Sequence, residues 1–398
     1  DGVSVDDGLL VAMQGLLEVY QSPDIDGLPP LHGGLMGYLG YDVVREVEHL
    51  PDTPPDDRGF PDGVMSVIGD MVAIDHWRQR AVLIANVVIP ENADEETLDS
   101  LYAEAQQRLD DLAAAGAKPL DEPLMAPPDP EEEPPETTSS ISRENYCLAV
   151  EAAREHILAG DIFQVVLSQR FDVELGAEPF DVYRVLRQIN PSPYMYFLRY
   201  PDMTVVGSSP EPMVQLLGGR VISRPIAGTR RRGASDVEDR RMAAELVEDP
   251  KERAEHVMLM DLARNDVGRV VRFGTEEVEE MMTLERYSHV MHLTSQVSGE
   301  LAPGHTPIDV LRATLPAGTV SGAPKVRAME IIDQLEPVKR GPYAGVVGYF
   351  DFSGNIDTAI AIRTMLVKDG IASVQAGAGI VADSIPEAEY EECRNKAK

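Results

Sequence analysis

The sequence is poor in cysteine, with only Cys147 and Cys393 in 398 residues. Two thiols give no disulfide framework, which fits a reducing compartment and a cytoplasmic protein. Positive charge is also scarce: 35 Lys and Arg stand against 68 Asp and Glu, a formal net charge of −33. The basic footprint of a nucleic-acid partner is therefore missing. Such a charge favours solubility but does not report the sign of a substrate. No apolar run is long enough to span a membrane, and no signal-peptide pattern or internal repeat is visible, so a membrane partner is not expected. The chain opens on Asp1 rather than methionine and stops just past its last helical stretch, which reads as a chain cut at one or both ends.

The length suits a large core and two lobes, and the 43% apolar content is ordinary for a globular protein. Residues 119–140, PLDEPLMAPPDPEEEPPETTSS, are rich in Pro and Glu and read as a linker. They divide an N-terminal lobe, 1–118, from a larger domain, 141–398. In the first lobe the pattern predicts a helix over 8–20, a Gly-dense strand region at 31–42, a hairpin at 71–75 and 80–88, and a helix over 94–115. Ser142 is expected to cap a helix ending at Gly160. Beyond it lie strands at 163–170, 194–200, 203–207, 213–217, 220–224, 277–286 and 289–298, with helices at 179–188, 236–247, 251–267 and 324–335. A hairpin of 344–352 and 355–367 is expected next, then a last strand from Ile371 and a helix opened by Pro386. Hairpins such as the one across Gly218-Gly219 dominate, so the fold class is α+β with mainly antiparallel sheets.

Two Glu-x-x-Glu pairs stand out. Glu252 and Glu255 share one helix face, as do Glu389 and Glu392. Together the pairs can hold a hard divalent cation such as Mg2+, which takes oxygen ligands and few carboxylates. Taken singly, each also reads as solvated surface charge. The first pair continues the stripe of Leu259, Leu262 and Asp266, which points it inward. Small-residue loops at PIAGTRRRG (225–233), AGTVSGAPK (317–325) and Gly377-Ala378-Gly379 suit small anions, though none has P-loop spacing. Arg363, in the apolar strand TAIAIRTML, serves either a carboxylate ligand or a structural ion pair. Tyr343 can donate to the same anion. His292 is a candidate acid/base or a structural histidine. Glu211, in GSSPEP, is a candidate general acid or an exposed turn carboxylate. The set suggests a Mg2+-dependent enzyme acting on a small polycarboxylate.

These motifs, together and in order, resemble those of the chorismate-utilising enzymes, and among them the large, chorismate-binding subunits of anthranilate synthases. PIAGTR, EHVMLMDLARNDVGRV, YSHVMHL, GTVSGAPKVRAMEII, GYFDFSGNIDTAIAIRT, QAGAGIVADSIPEAEYEE and RNKA carry the resemblance, which extends from residue 33 to the end. It implies two packed antiparallel β-sheets flanked by helices, with the active site in the cleft between them. It implies Glu255 and Glu392 as the main Mg2+ ligands, supported by Glu252 and Glu389. Gly228, Thr229, Gly377, Ala378 and Gly379 would line the ring and carboxylate pocket. Tyr343 and Arg363 would take the enolpyruvyl carboxylate, with Thr319 and Lys396 near the substrate. Glu211 would act as general acid when ammonia adds at C2, and His292 would assist removal of the C2 proton as pyruvate leaves.

Two positions discriminate within the resemblance. Isochorismate and salicylate synthases place Lys where Gln164 stands, and many aminodeoxychorismate synthases place Lys where Ala227 stands. Both positions favour ammonia as nucleophile and anthranilate as product, with the folate-branch aminodeoxychorismate synthase subunit as the alternative. A non-catalytic scaffold for an amidotransferase is the reading from another class, and the retained His292, Glu211 and four glutamates speak against it. NPSPYMYF (190–197) resembles a tryptophan feedback site formed by Pro193, Tyr194, Met195, Val347 and Tyr349, although a Leu-Leu-Glu-Ser-like upstream element of that site is absent. No amidotransferase motif is visible, so ammonia would come from a glutamine amidotransferase subunit or fused domain, implying a hetero-oligomer.

Overall fold

The computed structural model describes residues 5–120, 123, 125–127, 135–287 and 290–397, and for Thr229 the backbone alone. Before the linker the chain forms α1 (Leu9–Val19), β1 (Gly34–Leu39), a 3-10 turn at Tyr41–Glu46, β2 (Gly63–Val67), the hairpin β3 (Asp70–Asp75) and β4 (Arg80–Ala85), and α2 (Glu95–Gly116). After it come β5 (Thr138–Ser139), α3 (Arg143–Ala159), β6 (Gln164–Glu174), α4 (Pro179–Ile189), β7 (Tyr194–Arg199), β8 (Thr204–Ser209), β9 (Pro212–Leu217), β10 (Arg220–Ser223) and β11 (Ile226–Arg231). Next are α5 (Asp236–Glu248), α6 (Pro250–Gly268), β12 (Glu277–Arg286), β13 (Val290–Glu300), α7 (Pro307–Thr314), a 3-10 turn at Gly318–Val320, β14 (Gly322–Ala323) and α8 (Lys325–Leu335). The chain ends with β15 (Val346–Asp351), β16 (Ile356–Ile360), β17 (Thr364–Lys368), β18 (Ile371–Ile380) and α9 (Pro386–Ala397).

Local chemistry sets the ends of these elements. Ser142 accepts a hydrogen bond from the Asn145 amide to start α3, and Gly160 ends it at φ 84°. Asp249 caps α6 by accepting from the amides of Lys251 and Glu252, with Pro250 in the first turn. Gly218 and Gly219 both take positive φ in the turn from β9 to β10, as a two-residue hairpin turn requires.

Among the described residues every sheet pairing is antiparallel, and the fold is the expected α+β sandwich. The larger sheet runs β11-β13-β10-β9-β16-β15-β1-β2, with β12 on β13; the smaller runs β14-β6-β18-β17-β8-β7, with β5 on β6. Helices α1, α6 and α7 cover the outer face of the larger sheet in one apolar cluster. Helices α3, α8 and α9 cover β6 and β18 in another. Between the sheets, Tyr38 and Val347 meet Tyr196, Val205 and Leu366. The residues on either side of 119–140 share one sheet, since β1 pairs with β15, and one core, since Leu10 and Leu35 pack with Ile308 and Ile360. No helix among the described residues is long and apolar enough to cross a membrane.

Three local readings need correction. The expected strand 355–367 is two strands in different sheets: β16 pairs with β15 and β9, and β17 with β18 and β8. The break falls at Arg363, whose φ of 51° is left-handed and cannot continue a strand. Gly377-Ala378-Gly379 is not a loop but part of β18, paired with Ser168, Leu167 and Val166. Gly228-Thr229 likewise lies within β11, at a bulge against β13, with Gly228 at φ 61°.

Gly37 marks how closely β1 is enclosed. A Cβ built there would sit 1.9 Å from the Val64 carbonyl oxygen. Backbone cannot yield as a flexible side chain can, so Gly37→Ala is expected to destabilise the fold by about 3 kcal/mol, read as a lower urea midpoint. An unchanged midpoint would show that β1 and β2 can part locally.

Candidate active site

A cleft of about 950 Å3 opens between the two sheets. Its walls come from Gln164 and Val166 on β6, Ala227 and Gly228 on β11, His292 on β13, and Gly377 and Gly379 on β18. Helix α6 contributes Glu252, Glu255 and Leu259, and α9 contributes Glu389, Glu392 and Lys396. A smaller chamber of about 200 Å3 is lined by Thr319, Tyr343, Arg363, Gln375 and Gly377, with Glu211, His292 and Lys396 shared between the two. The open backbone of β18 makes room here: a Cβ on Gly377 would stand 2.7 Å from the Tyr343 hydroxyl, and one on Gly379 would stand 2.8 Å from Gln164 Nε2.

The ionisable groups are set apart by their surroundings. Glu211 sits where the chain turns into β9, and burial pushes its carboxyl up to about 7, against the pull of the nearby Thr319 hydroxyl and the Lys396 charge. It is therefore not an exposed turn carboxylate. His292 Nδ1 lies 3.3 Å from the Gly228 carbonyl oxygen, and the ring meets Tyr287 edge-on. Burial, aided by the Arg363 charge, holds this imidazole below its ordinary value. Glu211 thus keeps its proton towards neutral pH while His292 stays uncharged.

Polar atoms are left over in the cleft. Gln164 Oε1 and Thr319 Oγ1 are buried without a hydrogen-bond partner. Among the described residues the Arg363 guanidinium makes no ion pair, and it faces the cleft from the bend between β16 and β17. Of its two sequence readings, the structural ion pair is not what the chain forms. Tyr343 is buried, and desolvation raises its phenol well above its ordinary value, so it is a neutral hydroxyl.

A profile of the family described as chorismate binding enzyme matches residues 10–398. The chain belongs to the chorismate-binding enzymes. It is 48% identical over 389 residues to anthranilate synthase component 1 of Acetivibrio thermocellus, covering 97% of this chain and 78% of that one. It is 49% identical over 398 residues to the protein of the same name from Mycobacterium tuberculosis (strain ATCC 25618 / H37Rv), covering 98% and 76%. The crystal structure of anthranilate synthase component I from Streptococcus pneumoniae TIGR4 superposes with a TM-score of 0.84 at 41% identity, over 97% of this chain and 84% of that one. The menaquinone-specific isochorismate synthase from Escherichia coli, at 19% identity and a TM-score of 0.69 over 98% and 97%, shares the fold.

In this chorismate-binding enzyme the four glutamates line one cleft but do not form a ready-made metal cage. Among the described residues no group of three or more His, Cys, Asp or Glu side chains is placed to hold a metal ion. Glu252 is paired with Arg230 at 3.0 Å, and Glu392 with Lys396 at 2.7 Å. Burial raises the carboxyl of Glu255, and the charges of Glu252 and Glu392 add to it; burial and Glu392 raise Glu389 too. Carboxylates that converge so that Glu255 and Glu389 are raised fit a divalent cation, which would relieve that repulsion.

Other expected residues fall as follows. Ala378 does not line the cleft: it points the opposite way from Gly377 and Gly379 and is fully buried with Tyr146, Leu167 and Cys393. The alternation of β18 dictates this. The side chain of Thr229 lies outside the described residues. Lys396 donates to the Gly377 carbonyl at 3.0 Å. Of the five residues expected at an effector site, Pro193 lines the cleft and Val347 packs in the inter-sheet core. Tyr194 donates to Asp357 Oδ1 at 2.9 Å and accepts from Gln215 Nε2 at 3.2 Å, which joins the two sheets. Tyr349 feels the charge of Asp357, and Met195 is partly buried on β7. Asp357 and Gln215 were missed in the sequence; Asp357, an acidic residue within an otherwise apolar strand, was the available signal.

Proposed function

We propose that this chain is the catalytic, chorismate-binding component of an anthranilate synthase. The reaction is amination of chorismate at C2 with loss of the C4 hydroxyl, followed by elimination of pyruvate. What carries the reading is an acid and a base facing one cavity whose surroundings push them in opposite directions, Glu211 up to about 7 and His292 down.

Arg363 and the Tyr343 hydroxyl bind the enolpyruvyl carboxylate in the inner chamber, and Thr319 offers its hydroxyl beside them. Gly228, Gly377 and Gly379 leave space for the ring. Glu255 and Glu392, with Glu252 and Glu389, would hold Mg2+, which when bound offsets the substrate's negative charge at its ring carboxylate. The nitrogen lone pair of ammonia forms the bond to C2, the ring double bonds shift, and the C4–O bond breaks as Glu211 gives its proton to the leaving hydroxyl, releasing water; the ammonium so formed then gives a proton back to the Glu211 carboxylate and becomes the amine. The spare oxygen of Gln164 accepts a hydrogen bond from the incoming ammonia. Neutral His292 then takes the C2 proton, the C–H electrons complete the aromatic ring, and the C3–O bond breaks to release pyruvate. A glutamine amidotransferase partner supplies ammonia, in keeping with the name "component 1" of the relatives. Tryptophan is the effector at the Tyr194 and Tyr349 region, where the Tyr194–Asp357 bond between sheets offers a point of control.

Arg363→Gln should raise KM for chorismate at least tenfold, because a charge-assisted bidentate bond is replaced by a neutral one; steady-state kinetics with ammonium would show it. The reading as a whole is tested by incubating the chain with chorismate, Mg2+ and ammonium, and separating the products. Anthranilate from ammonium supports it. A para-amino or unreleased aminodeoxy product places the chain in the folate branch instead.

A further inference from the structure

Beneath the inner chamber lies a buried ion pair that the mechanism above does not use. The side chains of Arg340 and Glu336 are 2% and 5% exposed. Arg340 Nε and Nη2 donate to the two oxygens of Glu336 at 2.9 and 2.6 Å. Two further donors go to backbone: Nη1 to the Val320 carbonyl and Nη2 to the Val166 carbonyl, both at 2.7 Å. Glu336 also accepts from the amide and hydroxyl of Ser168 at 2.8 Å, and that hydroxyl accepts from Gln375 at 2.8 Å. The guanidinium lies over two rings, Tyr41 at 4.7 Å and Tyr343 at 5.7 Å.

The Glu336 partner cancels the charge of Arg340, so the pair exerts little long-range pull on a substrate anion. What it supplies is direction. Val320 follows Thr319, Val166 lines the cleft, and Tyr343 and Gln375 line the inner chamber. One planar fork therefore ties three separate walls of the chamber to each other. Tyr41 closes the clamp from the N-terminal segment, whose amide donates to the Gly341 carbonyl at 2.9 Å. Lys carries the same charge, but its single ammonium cannot meet a carboxylate bidentately and reach two carbonyls in one plane.

We propose that Arg340 is a positioning residue for substrate binding: with Tyr41 behind it, it fixes Tyr343 where the substrate's side-chain carboxylate must be met. The inference rests on the carboxylate site assigned above. Its test is a double-mutant cycle on chorismate affinity, measured by calorimetry with Mg2+ and no ammonia, so that no turnover intervenes. Arg340→Lys should weaken binding about tenfold in the wild-type background and less than about threefold in a Tyr343→Phe background, because the group it positions is already gone. If Arg340→Lys does not fold, Tyr41→Leu enters the same cycle under the same rule. Unchanged affinity with only a lower melting temperature would make Arg340 merely structural and overturn the proposal. An equal loss in both backgrounds would overturn it too. If Arg340→Lys weakens binding but Arg363→Gln does not, the carboxylate site itself is misassigned and the inference falls with it.

Discussion

Glu211→Gln is expected to lower kcat for anthranilate formation by about a thousandfold, within the range that a positioned general acid supplies. The amide keeps the size and part of the polarity of the side chain, so chorismate binding should change little. What is lost is a proton held near the C4 hydroxyl by an environment that disfavours the carboxylate. The pH dependence follows from the same shift. Burial raises Glu211 to about 7, so the acid form predominates below that value and is lost as pH rises through it. Expressed against free ammonia, kcat/KM should therefore fall on the alkaline side of about 7, and this profile reports the free enzyme. His292, held below its ordinary value, stays uncharged through the same range and should shape only the acid limb. In Glu211→Gln the alkaline limb should vanish. A limb that persists would assign the acid to another group.

Glu255→Gln is expected to lower Mg2+-dependent turnover by about 3 kcal/mol, roughly a hundredfold, and to raise the Mg2+ concentration needed for half activity. Glu255 is the carboxylate at which burial and the charges of Glu252 and Glu392 converge, so it gains most from a cation. Glu252 and Glu392 are meanwhile engaged by Arg230 and Lys396. No preformed cage exists among the described residues, so under the proposed function the substrate's own carboxylate would complete the site. Mg2+ should consequently bind weakly alone and more tightly with chorismate, and linkage requires that chorismate bind more tightly with Mg2+ by the same factor. Calorimetric titration of each in the presence and absence of the other measures both. Independent binding, or an unaltered Mg2+ requirement in Glu255→Gln, would remove the four glutamates from the metal site.

Much of this architecture could be read from residues alone, because local rules govern it. The Ser142 cap, the Gly218-Gly219 turn and the inward stripe of α6 declare themselves in sequence. So does the family likeness, whose motifs lie on α6, α8, α9, β11, β13 and β18. The failures share one cause: a strand's partner is a long-range choice that periodicity does not encode. TAIAIRTML alternates like one strand, yet the chain changes sheets at Arg363, and that bend turns the guanidinium to the cleft. Gly377-Ala378-Gly379 looks like a loop by composition, yet small residues were needed because β18 passes close to Tyr343 and Gln164. The same strand parity sends Ala378 into the core. Arg340 and Glu336 look like surface charge in sequence, and only the packing of Tyr41 and Tyr343 around them reveals the clamp.

The proposed activity is amination of chorismate in this cleft, then aromatisation with loss of pyruvate. The most direct test is stoichiometry: chorismate consumed, anthranilate formed and pyruvate released, measured together with Mg2+ and ammonium in excess and again after EDTA. The account predicts equal amounts of all three, and none after chelation. Chorismate consumed without pyruvate, or not consumed at all by folded protein, would contradict it.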